Sequence, residues 1–559
     1  MNATILVIAG VAVFFIGYKV YAGYIADRIL RLDPRAPVPS HTMKDGIDYV
    51  PTNKFVLFGH HFATIAGAAP IIGPALGVIW GWVPAFLWVV FGSVLWGGVH
   101  DFGALVLSIR NRGTSIGEIA RDMIGKKAVT AYMIIIFFVL LLVLAVFLLV
   151  ISGLLIKYPE SIFPVFCLML IAMCIGVLMY RTGIGLGPAS VAGIVLMALA
   201  IWWGADHPYP MPAQTVIGSA KTTWIVLLAA YAFCASVLPV WLLLQPRDYL
   251  ESFKLYAGLI LLYAGILITG PTVVAPAVRL HVPGAPPLWP FLFITIACGA
   301  LSGFHSIVSS GTSPKQINNE KDARFVGYGA MVCEGALALV AVIACTAGFS
   351  STEAWLGHYA SWSGAAGLGD KLGAFVDGSA RFIAVLGIPE KLGRTFIVLV
   401  IVSFAMTTLD SACRLGRYII SEFGEQHGIA VLKNRYAASL IMAAASYMLA
   451  VGSYGGKPAG LLLWPLFGTT NQLLAALVFA TITIYLVKRK SPTWPTTIPL
   501  VLVSVTTMWA MLWSIAGYVR SGNWILFVIG SIILLTSIFL VFLAGASYRR
   551  EKRLQAGQA

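Results

Sequence analysis

Seven ionisable side chains lie inside otherwise apolar runs of this sequence: His60, His61, His100, Asp101, His305, Glu334 and Asp410. Ionisable groups at membrane depth are costly and mark proton or substrate paths by default. Histidine titrates closest to physiological pH, so a histidine cluster with nearby carboxylates suits proton uptake and release. Counted at about 1.5 Å per residue from the cytoplasmic end of each run, His60, His100, His305 and Asp410 fall at roughly 5–12 Å. Four helices thus carry titratable groups at similar depth, which predicts one polar constellation inside a bundle. Neighbours on a helix point about 100° apart, so Asp101 is free to balance a group other than His100. The plainer role for any one of these residues is to tie two helices together.

Interrupted apolar stretches accompany them. Phe55 to Gly77 reads FVLFGHHFATIAGAAPIIGPALG, with His60-His61 followed by Gly67-Ala68-Ala69-Pro70 and Gly73-Pro74. Proline removes a backbone donor and clashes with the preceding turn, so this run should bend or open. Open backbone at membrane depth survives only in protein or beside a wet cavity. Freed N–H groups and a positive dipole end suit a carboxylate, and freed carbonyls suit a cation. Gly59, Thr64, Gly67, Ala68 and Ala69 are therefore candidate substrate contacts. Ser236 joins them from AFCASVLPVWLLLQPRDYL (232–250), where Pro239 interrupts another run, and Gly303 from LSGFHSIVSSGTSPKQI (301–317). In the latter, Ser309, Ser310 and Thr312 could hold water or a cation such as sodium, or simply bond back to their own helix.

A hydrophobic fraction of 59%, 11% charged residues and a mean hydropathy of +0.88 exclude an ordinary soluble domain and specify a polytopic membrane protein with the lipid bilayer as its solvent. The net charge of +15 does not imply nucleic acid, because the basic residues sit in short loops where orientation explains them. The first run, Ile5 to Ala26, has no basic segment before it and reads as a true span, not a signal peptide. Seven cysteines fall in apolar segments without a Cys-x-x-Cys pair, as packing residues do. The His-Glu-x-x-His spacing is absent, and no metal or cofactor is expected.

Runs of spanning length predict about fifteen helices, near 4–26, 55–79, 83–107, 129–153, 162–179, 185–203, 223–244, 256–272, 289–311, 325–349, 393–413, 436–453, 461–487, 498–517 and 524–546. With the N-terminus outside and the C-terminus inside, 27 of the 37 Lys and Arg residues fall in inward loops, among them Arg247 and Lys254, and 9 fall outside. A miscounted helix would invert every later loop. Spans two and seven run in opposite directions, five helices apart, and both are interrupted, which points to an inverted-repeat transporter. The domains expected are 1–54 (first helix and linker), 55–413 (transport core, 55–203 and 223–413 as its repeats), 436–546 (additional helices) and 547–559 (basic tail). Within 350–392, the piece 374–388 is too short to span and is expected to lie along the outer surface as a lid.

At GHHFATIAGAAPIIGPALG (59–77), GGVHDFGALVLSIRNRGTSIGEIA (97–120), LPVWLLLQPRDYL (238–250), SGFHSIVSSGTSPKQ (302–316), TTLDSACRLGRY (407–418) and WPLFGTTNQLLAAL (464–477), the chain resembles the carbon starvation protein A (CstA) family. The resemblance implies import of peptides or pyruvate across the bacterial inner membrane, driven by protons, without enzymatic activity. It also implies a 5+5 inverted-repeat core of the LeuT/APC type over spans two to eleven, the last four spans packing outside it. Two other classes stay open on the residues alone: a membrane sensor or channel, and an intramembrane histidine-metal enzyme.

Overall fold

Without water to bond to, backbone in hydrocarbon must satisfy its own polar groups, and the apolar runs accordingly fold as helices. The computed structural model describes residues 1–182, 186–240, 242–362, 368–454 and 457–556. The principal helices in chain order are α1 (Ala3–Leu30), α2 (Lys54–Ala66), α3 (Ala69–Trp80), α4 (Trp82–Arg110), α5 (Ile116–Met123), α6 (Lys126–Lys157), α7 (Ile162–Thr182), α8 (Leu186–Asp206), α9 (Ala220–Val237) and α10 (Leu244–Thr269). They continue as α11 (Leu288–Thr295), α12 (Gly303–Gly311), α13 (Arg324–Ala347), α14 (Thr352–His358), α15 (Leu368–Ala384), α16 (Glu390–His427), α17 (Arg435–Val451), α18 (Ala459–Lys488), α19 (Trp494–Arg520) and α20 (Trp524–Ala556).

Twelve helices among the described residues are long and apolar enough to cross a membrane, or thirteen if the pair α2–α3, bent by 43°, is one broken span. The runs at 289–311 and 436–453 take other forms. The first is split into α11 and α12 by the non-helical residues 296–302, and the second is the 17-residue α17.

Four helices form the centre. In their most apolar stretches α6 and α13 are each 83% buried and α16 and α18 are each 94% buried, whereas α1, α19 and α20 bury 33% and turn the rest outward. The position of α18 corrects the expectation that the last four spans pack outside the core. Its polar GTTNQ segment (468–472) is buried, and buried amides need partners that an outer, lipid-facing position could not supply. The seven cysteines are free, and Cys174 and Cys234 face outward instead of packing inside.

The second break also differs in place. No mid-helix interruption occurs in α9, which runs unbroken to Val237, and Pro239 lies in its connection to α10. A proline breaks hydrogen bonding only inside a helix, and beyond its end it costs nothing. The breaks that do occur adjoin one another. A Cβ on Gly73 of α3 would lie 2.6 Å from the Thr295 carbonyl, and one on Gly299 would lie 3.7 Å from Pro70 and Pro74. Of 350–392, α14 and α15 are packed against the bundle. Trp355 Nε1 donates to the Cys345 carbonyl (3.0 Å), and the Tyr359 hydroxyl donates to the Ala75 carbonyl on α3 (2.7 Å).

Candidate functional site

The polar residues picked out in the sequence gather into two buried networks and one separate pair. In the first network His100 Nδ1 lies 2.8 Å from Asp101 Oδ1, and His305 Nδ1 lies 2.9 Å from Asp101 Oδ2. Thus Asp101 contacts both its chain neighbour and α12. Glu334 of α13 approaches the far side of the same imidazole, its Oε2 3.2 Å from His305 Nε2, but out of line for a hydrogen bond. All four residues are fully buried. Each of α4 and α13 has a π-helical turn just before its contributing residue, at Ser93–Gly97 and Arg324–Tyr328. Such turns recur at functional sites because they re-aim the residues that follow. Here the Tyr328 hydroxyl donates to the Val94 carbonyl (2.7 Å) and binds one π-turn to the other.

The second network was half visible in the sequence. His60 and Asp410 were expected, but what joins them is α10. His60 Nδ1 is 2.6 Å from Asp248 Oδ2, and Arg247 donates to Asp248 Oδ1 through Nε (2.9 Å) and Nη2 (2.5 Å). The same guanidinium pairs with Asp410 on α16, which also accepts from the Tyr231 hydroxyl of α9 (2.7 Å). One turn on, Lys254 pairs with Glu251 and donates to Ser403 Oγ (2.6 Å). Arg247, Asp248, Glu251 and Lys254 are each at most 2% exposed, which corrects the reading of Arg247 and Lys254 as loop charges. Their signal was the spacing: Arg247, Glu251 and Lys254 recur at i, i+4 and i+7, one face of a helix.

His61 stands apart, bonded through Nδ1 to Ser313 Oγ (2.7 Å). The Nε2 atoms of His60, His61 and His100 have no hydrogen-bond partner, nor do both Glu334 oxygens, Ser309 Oγ and Thr312 Oγ1. Ser310 Oγ accepts the Ile116 amide (3.0 Å). Buried orphan groups of this kind are a place for a guest or for water.

The candidate substrate contacts divide. Gly67 holds the α2–α3 break at φ +50°, and a Cβ there would sit 2.7 Å from Thr408 Oγ1 and 3.0 Å from Phe147. Ala68 and Ala69 follow at the start of α3, where no side chain caps the helix. Gly59 lets α10 approach, since a Cβ would lie 2.9 Å from Ser252 Oγ. The hydroxyl of Thr64 is spent on the His60 carbonyl (2.7 Å), and that of Ser236 on Phe233 (2.8 Å). Gly303 is pressed against the backbone of α18 at Asn471.

Near the end of α16, Asp48 of the linker accepts from the Tyr418 hydroxyl (2.7 Å) and pairs with Arg414 (3.3 Å) and Arg417 (3.8 Å). Burial pushes its carboxyl up, but Arg414, Lys315, Tyr418 and Arg417 outweigh it and hold the pKa below the ordinary value.

Three comparisons bear on this arrangement. The sequence profile described as carbon starvation protein CstA matches residues 2–354 and 348–510. A relative from Escherichia coli (strain K12) named pyruvate/proton symporter BtsT is 35% identical over 91% of this chain and 81% of its own length. Another from Campylobacter jejuni, named peptide transporter CstA, is 36% identical over 94% and 82%. Among solved structures, a variant of the Eremococcus coleocola manganese transporter superposes with a TM-score of 0.52 at 13% identity, covering 91% of this chain and 99% of that one, a likeness of fold alone.

Proposed function

This chain, a multi-pass membrane transporter, belongs to the carbon starvation protein CstA family, and we propose that it is a proton symporter importing peptides or a small carboxylate such as pyruvate across the bacterial inner membrane. One observation carries the proton. In both buried networks carboxylates outnumber fixed cations, and histidines meet the excess. Among the described residues, Asp248, Glu251 and Asp410 face only Arg247 and Lys254 as fixed cations, with His60 beside them. Asp101 and Glu334 face no fixed cation among the described residues, only His100 and His305. Unbalanced charge is costly in a dry interior, so each network favours carrying a proton shared among its titratable groups and becomes strained without it.

The substrate carboxylate is assigned to the uncapped start of α3 at Gly67, Ala68 and Ala69, where freed N–H groups and the helix dipole favour an anion. Alternating access would move the two broken helices, α2–α3 and α11–α12, one in each half of a 5+5 core spanning 55–413. The fifteen-span topology, N-terminus out, is supported by the meeting of the basic inward loops on one face. Arg110 binds Glu320 (2.6 Å), Lys488 donates to the Asp122 carbonyl (2.6 Å), and Lys315 lies 4.0 Å over the Tyr418 ring.

The test is accumulation of labelled pyruvate and of a dipeptide in proteoliposomes under an imposed pH gradient. His60→Gln and His305→Gln are each expected to abolish uphill uptake and leave exchange at equal concentration intact. Both variants concentrating substrate as the native protein does would overturn the proton reading. A parallel arm with a sodium gradient, using Ser309→Ala and Thr312→Ala, decides whether those free hydroxyls hold a second cation.

A further inference from the structure

Helix α12 begins in the protein interior, where its first N–H groups need acceptors that water cannot provide. Its own N-cap residue, Ser302, makes no side-chain capping bond. The acceptor comes instead from another part of the chain. Asn471 of α18 takes the Phe304 amide on Oδ1 at 2.6 Å and donates through Nδ2 to Ser302 Oγ at 3.0 Å. The next residue holds both sides of the break, because Gln472 Nε2 reaches the Leu301 carbonyl (2.9 Å) and the Phe293 carbonyl of α11 (3.3 Å). Trp88 completes the set by donating to the Ile296 carbonyl (2.9 Å). Asn471 and Gln472 are buried, at 0% and 2% exposure, and Gly303 lacks a side chain where the α18 backbone presses on it.

We infer that Asn471 is a positioning residue for the transport reaction: an N-cap supplied by α18 that, with Gln472, fixes the α11–α12 break and thereby sets His305 against Asp101. The inference rests on the proposed role of His305 in proton coupling. His305 follows Phe304 directly, so the bond that anchors the first turn also fixes where its imidazole lies relative to Asp101 at 2.9 Å. The same bond distinguishes the two breaks. The start of α12 is occupied by the Asn471 side-chain amide of α18, while among the described residues no side chain caps the start of α3, which leaves α3 as the end open to a substrate anion.

Hydrogen–deuterium exchange on the purified protein tests the brace without reference to transport. Removing the acceptor leaves a buried amide unpaired, so Asn471→Ala should raise exchange at Phe304 by about tenfold or more and leave α19 and α20 unchanged. Asn471→Asp, which keeps an acceptor oxygen, should retain the protection. Unchanged exchange in the alanine variant, or lost protection in the aspartate variant, would overturn the brace. Its role in positioning is read from the pH profile of proteoliposome uptake. The expected result is a displaced profile in Asn471→Ala, and, in the equal-concentration exchange that His305→Gln retains, no displacement when Asn471→Ala is added to it. A fall in rate with an unchanged profile would reduce Asn471 to a structural support. Native protein that accumulates no substrate would refute the symport reading, while the exchange data would still judge the brace.

Discussion

Gly67→Ala is the smallest change that challenges the broken helix. Gly67 sits at φ +50° and ψ −152°, close to backbone that only glycine enters freely, and forcing another residue there costs about 1–3 kcal/mol. The added methyl would also stand 2.7 Å from Thr408 Oγ1 and 3.0 Å from Phe147, and overpacking of a tight interior costs about 1–3 kcal/mol more. Together these amount to about 2–6 kcal/mol. At 1.4 kcal/mol per decade the native geometry of the break is depopulated roughly 30-fold to 20,000-fold. Transport should fall accordingly, while the protein still inserts, because the damage is confined to one turn. The assay is initial uptake in proteoliposomes normalised to monodisperse protein. Thr408→Ala in the same background removes the nearer clash but not the backbone term, so it should restore activity only in part. Native uptake by a well-expressed Gly67→Ala protein would refute the argument that this turn shapes the transport path.

Asp248→Asn keeps the shape of the side chain but removes the charge shared by His60 and Arg247, weakening charge-assisted bonds by about 2–4 kcal/mol. Reduced thermal stability and loss of pH-driven uptake are expected, and a native pH response would exclude Asp248 from coupling. Asp48 gives a pH prediction of the opposite kind. Its folded pKa is depressed, so its contribution to holding the linker is complete above the unfolded value of about 3.9 and is lost only as the pH falls through the lower folded value. Proteolysis of the 44–50 segment should therefore be equal at pH 7 and pH 5, and Asp48→Asn should speed it at both.

Hydropathy by itself determined much of this protein. Every apolar run predicted to span is helical in the structure over most of its length, since backbone in hydrocarbon has no other way to satisfy its polar groups. The α2–α3 break was also legible, because Gly67, Pro70 and Pro74 act on their own backbone. The linked set His100, Asp101, His305 and Glu334 could be named but not paired. What only the tertiary structure decided depends on partners far along the chain. Hydropathy started the eighth span at 256, since Arg247 to Lys254 count as a penalty; folded, Arg247 is neutralised by Asp410 and Asp248 meets His60, 163 and 188 residues away. The second break contains no proline, and it exists because side chains of α4 and α18 accept and donate to the backbone of residues 293–304. A local signal reports what a residue does to its own helix, whereas burying a charge or an opened backbone becomes affordable only through a group that folding brings to it.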